Sequence, residues 1–275
     1  GHMIIIGERI NATREKIKEA IEKKDRNFIK KEIKKQIENG ADYIDINAGT
    51  GKGKEREKED IKWLIEIAKE EGISKICIDS SDPGVIEFGM NFVNPENAII
   101  NSINGEKEKK EKLLKVIKKY PETKIILLTM DDKGIPPDTK TRIEIAEKLI
   151  DEISLCGIKK ENIFVDCLVE PVSVNIENAK KFINCLKEIK TKFPEVRTTC
   201  GLSNISFGLP GRKIINKYFL ALCIYEGLDS AIIDPTISDI RECLYAINVL
   251  TGNDEFCMNY IRGIREKRIN TGKSK

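Results

Sequence analysis

Short runs of Ile, Val and Leu recur along the whole chain, separated by longer stretches whose apolar residues are spaced by three and four. The short runs read as strands buried on both faces, the longer stretches as helices with one apolar side. The predicted strands are Met3–Ile6, Tyr43–Asn47, Lys75–Ile78, Ala98–Ile100, Lys124–Leu128, Ile163–Val165, Val196–Thr199 and Ala231–Ile233. Helices are predicted over 25–39, 61–70, 83–90, 106–119, 141–155, 176–189, 214–226 and 240–250, with Gly40 and Gly72 as stops. Eight strand–helix alternations in 275 residues predict a (β/α)8 TIM barrel rather than an open doubly-wound sheet. No G-x-G-x-x-G follows the first strand, which removes the simplest dinucleotide-binding reading. No Pro/Gly/Ser-rich linker divides the chain, so residues 3–262 are expected to form one domain. Gly1 and His2 ahead of Met3 read as a cloning remnant, and 263–275 as a charged C-terminal tail.

A barrel of this kind carries its chemistry at the C-terminal ends of its strands. Those ends hold Glu8, Asn47, Asp79, Asn101, Asp131, Asp166, Asn204 and Asp234, with Asn11 close behind the first. All are acids or amides. Lys75 and Lys124 touch strands at the opposite ends, so no strand-end amine is available for Schiff-base chemistry. The only histidine is His2, which excludes His-based acid–base catalysis and a conventional zinc site. A carboxylate accepts two parallel N–H bonds, and a carboxamide both donates and accepts. That set suits a polar heterocycle with an amidine-like edge, such as a pterin. Carboxylates would also suit a hard cation such as Mg²⁺, and this stays open.

The stretch Cys200-Gly201-Leu202-Ser203-Asn204-Ile205-Ser206 ends the seventh strand and opens a loop through Gly208, Pro210 and Gly211. It places an amide and two hydroxyls at a strand end, though Ser and Asn in turns also satisfy their own backbone.

Charge adds exclusions. The 48 basic and 45 acidic side chains leave a net charge of +3, which argues against a nucleic-acid or membrane partner. The Lys/Glu-rich segment 106–119 keeps Leu113, Leu114, Val116 and Ile117 for a core and reads as a solvated helix. There is no apolar run long enough for a membrane span and no basic-then-apolar leader. The eight cysteines form no C-x-x-C pair, as expected of reduced thiols in a cytoplasmic protein.

Five motifs occur in an order that resembles one family: Gly7-Glu8-Arg9-Ile10-Asn11, Asp45-Ile46-Asn47, Cys77-Ile78-Asp79-Ser80, Ile100-Asn101-Ser102 and Gly201–Ser206. They are similar to those of the pterin-binding methyltetrahydrofolate:corrinoid-protein methyltransferases and of the folate module of cobalamin-dependent methionine synthase. The resemblance implies a homodimeric barrel that moves a methyl group between N5 of tetrahydrofolate (as 5-methyltetrahydrofolate) and the cobalt of a corrinoid. No Asp-x-His-x-x-Gly signature is present, so the corrinoid (a cobalamin) would come from a separate partner protein. By position, Asp79, Asn101 and Asp166 would grip the pterin, and Asn204 would hydrogen-bond near N5. Arg212 would lie toward the aminobenzoate end, Asp166 would serve proton transfer, and Glu8, Asn11, Asn47, Ser206 and Ile232 would complete the pocket. Dihydropteroate synthase, a more distant relative, and a non-catalytic folate-binding module are the alternatives. The first would need basic groups for pyrophosphate where this chain has Ser203-Asn204-Ile205.

Overall fold

The computed structural model describes residues 2–269 and 271. Eight strands alternate with helices: β1 (Ile4–Asn11), β2 (Tyr43–Asn47), β3 (Ile76–Asp79), β4 (Ala98–Gly105), β5 (Lys124–Asp131), β6 (Ile163–Asp166), β7 (Arg197–Thr199) and β8 (Ser230–Ile233). The helices are α1 (Glu15–Glu22), α2 (Arg26–Glu38), α3 (Lys54–Glu70), α4 (Pro83–Met90), α5 (Lys107–Lys118), α6 (Thr139–Leu155), α7 (Asn178–Lys192), α8 (Arg212–Tyr225), α9 (Ser238–Leu250) and α10 (Met258–Arg265). The strands are all parallel in the order β7-β6-β5-β4-β3-β2-β1-β8. A single bridge, Gly201 to Ile232, closes the ring, with Ile232 N–H donating to Cys200 O at 2.8 Å. The fold is a (β/α)8 barrel, as the alternation predicts.

Helix starts follow local chemistry. Asp25, Asp82 and Asp138 each accept a hydrogen bond from a first-turn backbone N–H of α2, α4 and α6, and Pro83 opens α4. Helices α1 and α10 are additions to the eight the pattern predicts. α10 runs across the expected tail boundary at 263, and Ile269 beyond it is buried. Residues 1, 270 and 272–275, part of the expected remnant and tail, lie outside the described residues.

Strands β1, β4 and β5 run further than their apolar runs, so Glu8, Asn101 and Asp131 lie within strands rather than beyond them. The ladder continues where the inward side chains turn polar, which an apolar-run reading cannot see. In β1 the pairing shifts between Gly7 and Ile10. There the buried Gln36 carboxamide reaches in from α2 and accepts from Arg9 N–H at 3.1 Å. A Cβ on Gly7 would collide with Gln36 Oε1, so this irregularity requires glycine.

Alternation along each strand sorts inside from outside. Ile6, Tyr43, Cys77, Ile99, Ile126 and Phe164 pack into an apolar plug within the barrel. A larger core lies between the barrel and its helices.

Candidate active site

Two residues beyond each plug position, the same inward face carries Glu8, Asp45, Asp79, Asn101, Leu128 and Asp166. Register sets them side by side: Asp79 pairs with Asn101, and Asp166 lies between Leu128 and Thr199. Asn11 pairs with Asn47 one strand further round. The polar ring is thus a product of strand periodicity. A cavity of about 380 Å³ opens above its β2–β4 side, lined by Asn47, Asp79, Asn101, Ser80 and Glu57 among others.

Burial governs the titration of this ring. Asp45 is buried, and its pKa is raised well above the usual range by burial, then by the Asp79 charge and a shared hydrogen bond. Asn101 Nδ2 donates to Asp45 Oδ1 at 3.1 Å. Burial raises Asp79 as well, opposed by hydrogen bonds from Asp45 and Asn47. Two carboxyls set this close titrate as a coupled pair, the charge of one disfavouring ionisation of the other. Asp166 is pushed up to about 7 by burial, against the Leu168 backbone N–H and the Arg142 charge. Glu8 is likewise raised to about 7 by burial, with Arg14 Nη2 3.5 Å from its carboxyl pulling the other way.

The mouth is less uniform than its strand ends suggest. Arg9 lies at its edge between β1, α2 and the end of β8, donating to Glu32 at 2.6 Å and to Asp234 at 2.8 Å. Burial works to raise Asp234, but Thr236 and Arg9 hold it below the usual carboxylate range. Asp234 and Asp131 are both taken up by local turns, accepting from Thr236 N–H and Lys133 N–H. Guanidinium groups adjoin the acids and amides of the mouth, and Asn47, Asp131, Asp166 and Asp234 each accept a hydrogen bond from the backbone of the turn that follows.

The β6 and β7 loops are fastened together. Asn204 Nδ2 donates to Val169 O at 2.6 Å, Val172 N–H to Ile205 O at 3.1 Å, and Ser173 Oγ to Phe207 O at 2.7 Å. Leu168, at φ +69°, sits in the left-handed region that leucine rarely adopts. Its N–H donates to Asp166 Oδ1 at 2.8 Å. The fully buried Arg142 donates to Pro136 O, Cys167 O, Leu168 O and Glu170 Oε1, between 2.5 and 3.2 Å. One guanidinium thereby sets the loop that carries both Asp166 and the Asn204 tether.

Other expected site residues have local duties. Ser206 is buried, donates to Ser203 O and accepts from Arg212 Nε at 3.0 Å, so it braces the loop. Arg212 also donates to Ser203 O at 2.7 Å and lies over the Phe207 ring. Asn11 Oδ1 accepts from Thr13, and Asn47 Oδ1 from Gly49 N–H. Ile232 packs on the plug. Asp45 and Arg142 escape a strand-end search. Asp45 was legible as the alternate position before Asn47, whereas nothing local marks Arg142. Among the described residues, no group of three or more His, Cys, Asp or Glu is placed to hold a metal ion.

A parallel barrel with a carboxyl–amide ring in its C-terminal mouth defines the class as a TIM-barrel enzyme. The sequence profile of the pterin-binding enzymes matches residues 7–234, and the chain belongs to that family. It is 35% identical over 268 residues to a methylcorrinoid:tetrahydrofolate methyltransferase of Eubacterium limosum, covering 97% of this chain and 98% of that one. It is 31% identical over 245 residues to the methionine synthase of Mycobacterium leprae, covering 84% of this chain and 20% of the larger enzyme. Among solved structures, the 7,8-dihydropteroate synthase of Vibrio fischeri superposes with a TM-score of 0.71 at 15% identity, over 91% of this chain and 94% of that one. The Yersinia pestis dihydropteroate synthase gives 0.68, also at 15% identity, over 91% and 95%. At such identities the likeness is one of fold.

Proposed function

We propose that this chain moves a methyl group between N5 of tetrahydrofolate and the cobalt of a corrinoid carried by a separate protein. The observation that carries this reading is the polar ring of buried Asp45 and Asp166 with half-buried Asp79 and Asn101, in a chain matched over 97% of its length by a methylcorrinoid:tetrahydrofolate methyltransferase. In the ring, Asp79 and Asn101 meet the donor-rich edge of the pterin, and Asp166 the opposite flank. Carboxyls pushed by burial toward their neutral form cost less to bury, while still offering acceptors for the N–H groups.

As the methyl leaves N5 for Co(I), cobalt's electron pair forms the new Co–C bond. The N–C bonding pair stays on N5, and a proton neutralises it. Run backwards, N5 attacks the methyl on Co(III), cobalt keeps the pair, and N5 sheds its proton. Asn204 cannot supply that proton at neutral pH, so its role is to stabilise the changing charge from a fixed position. Asp166, poised near 7, is suited to proton relay.

The corrinoid partner docks over the rim, where Val174, Ile176 and Phe207 stand exposed on the two fastened loops. A homodimer forms through α8, whose Ile214, Tyr218, Leu222 and Tyr225 make one exposed apolar stripe. Eight free thiols support a reducing, cytoplasmic setting. No helix among the described residues is long and apolar enough to cross a membrane.

Dihydropteroate synthesis is the weaker reading. It needs a cation free to meet pyrophosphate, whereas Arg212 is engaged by Ser203 and Ser206. Mixing the protein with 5-methyltetrahydrofolate and a Co(I) corrinoid protein tests the proposal: Co(I) absorbance should decay at a rate proportional to enzyme, and no decay would overturn it.

A further inference from the structure

The far end of the barrel carries a second constellation, independent of the pterin reading. Reading inward positions back from the plug, β1 supplies Ile4, the residue before β3 supplies Lys75, β5 supplies Lys124 and β7 supplies Arg197. These alternate strands form one layer of a barrel interior. Three of its four members are cations.

Contacts fix where they point. Lys75 Nζ lies 5.6 Å from the centre of the Tyr43 ring, and the Arg197 guanidinium 5.7 Å from that of Phe164. Both rings belong to the apolar plug. Lys124 and Arg197 are half-buried. Burial, then the charges of Arg197 and Lys75, depress the pKa of Lys124, so the three groups feel one another.

No direct ion pair offsets this charge among the described residues. Among the described residues, no carboxylate oxygen comes within 4.0 Å of a side-chain nitrogen of Lys75, Lys124 or Arg197. Two acids at this end, Asp42 and Asp229, have partners of their own. Asp42 accepts from Ile5 N–H and from His2, and Asp229 accepts from Lys190, Thr198 N–H and Thr198 Oγ1. On the Arg197 side a cavity of about 340 Å³ opens, lined by Arg197, Lys190, Ile4 and the Lys190-paired Asp229; Lys75 and Lys124 lie outside it.

We propose that the N-terminal end of the barrel is a binding site for a small multivalent oxyanion of the phosphate class, held between Lys75, Lys124 and Arg197. Three cations brought in by three separate strands match oxygens spread over a tetrahedron, and the guanidinium can engage two of them at once. A single carboxylate would leave part of the charge unmet. Burial by the aromatic floor strengthens the attraction beyond that of surface lysines.

Calorimetric titration of the full chain with inorganic phosphate and with tripolyphosphate, against sodium chloride at matched ionic strength, tests this. The expected result is saturable one-to-one binding, weakened at least tenfold in Lys124→Met/Arg197→Met. Lys112→Met, an exposed control on α5, should bind as wild type, and tetrahydrofolate affinity should not change in any variant. If the double variant does not fold, Lys75→Gln at the exposed edge should still weaken binding at least threefold. Heats no larger than those of chloride, or a folded variant that binds phosphate like wild type, would overturn the site and leave a solvated cap in its place.

Discussion

The carboxamide of Asn204 donates to the backbone carbonyl of Val169 across 2.6 Å, joining the end of β7 to the loop after β6. The group proposed to stabilise charge at N5 is therefore held by the loop that follows Asp166. Asn204→Ala should lower single-turnover methyl transfer about 10²-fold or more, the scale of losing one preorganised donor. Stopped-flow decay of Co(I) absorbance reads it directly, and an unaltered rate would remove Asn204 from the chemistry.

Asp166→Asn should weaken tetrahydrofolate binding, as calorimetry would show. It should also change the pH dependence of stability. Asp166 and Glu8 hold protons up to about 7 in the folded state but release them nearer 4 when unfolded. Between those values the native state binds more protons, so stability is highest at the acid end and falls as pH rises to 7, by at most about 1.4 kcal/mol per pH unit per carboxyl. Urea midpoints from pH 4.5 to 7.5 should show this fall, and a shallower one in the variant.

Arg142→Met leaves three buried carbonyls and the Glu170 carboxylate without their donor. Unfolding free energy should drop by about 3 kcal/mol or more. Arg142→Lys, which keeps the charge but not the fork of donors, should fall between. A Lys variant as stable as wild type would show that charge alone suffices.

Gly7→Ala forces a methyl against the Gln36 carboxamide. A loss of about 1–3 kcal/mol is expected, as for other overpacked sites. In a Gln36→Ala background the penalty should shrink, and strict additivity of the two changes would refute the contact argument.

Leu222→Glu puts a charge in the middle of the exposed α8 stripe. In sedimentation the parent chain is expected to run as the proposed dimer and the variant as a monomer. An unshifted dimer would move the interface to another face.

Periodicity made the barrel readable, because strands buried on both faces leave apolar runs that helices do not. It also carried Asp79, Asn101 and Asp166, each an inward position one alternation past the plug. The length of β1, β4 and β5 was hidden because their continuation is polar. Arg9 was hidden by a register shift, and Arg142 by distance: it acts from the first turn of α6 on a loop 25 residues downstream. Duties such as Ser206 bracing Ser203 depend on loop geometry that composition does not encode.

The seam of the barrel has a consequence for where the molecule breathes. Neighbouring strands share several residue pairs everywhere except between β7 and β8, where one stitch at Gly201 and Ile232 completes the circle. Amide protons along that joint should exchange with deuterium earliest of any in the sheet. Asn204 sits three residues past it, so a guest gripping that loop would also slow the gap's opening, and bound folate should be visible as protection along the whole joint.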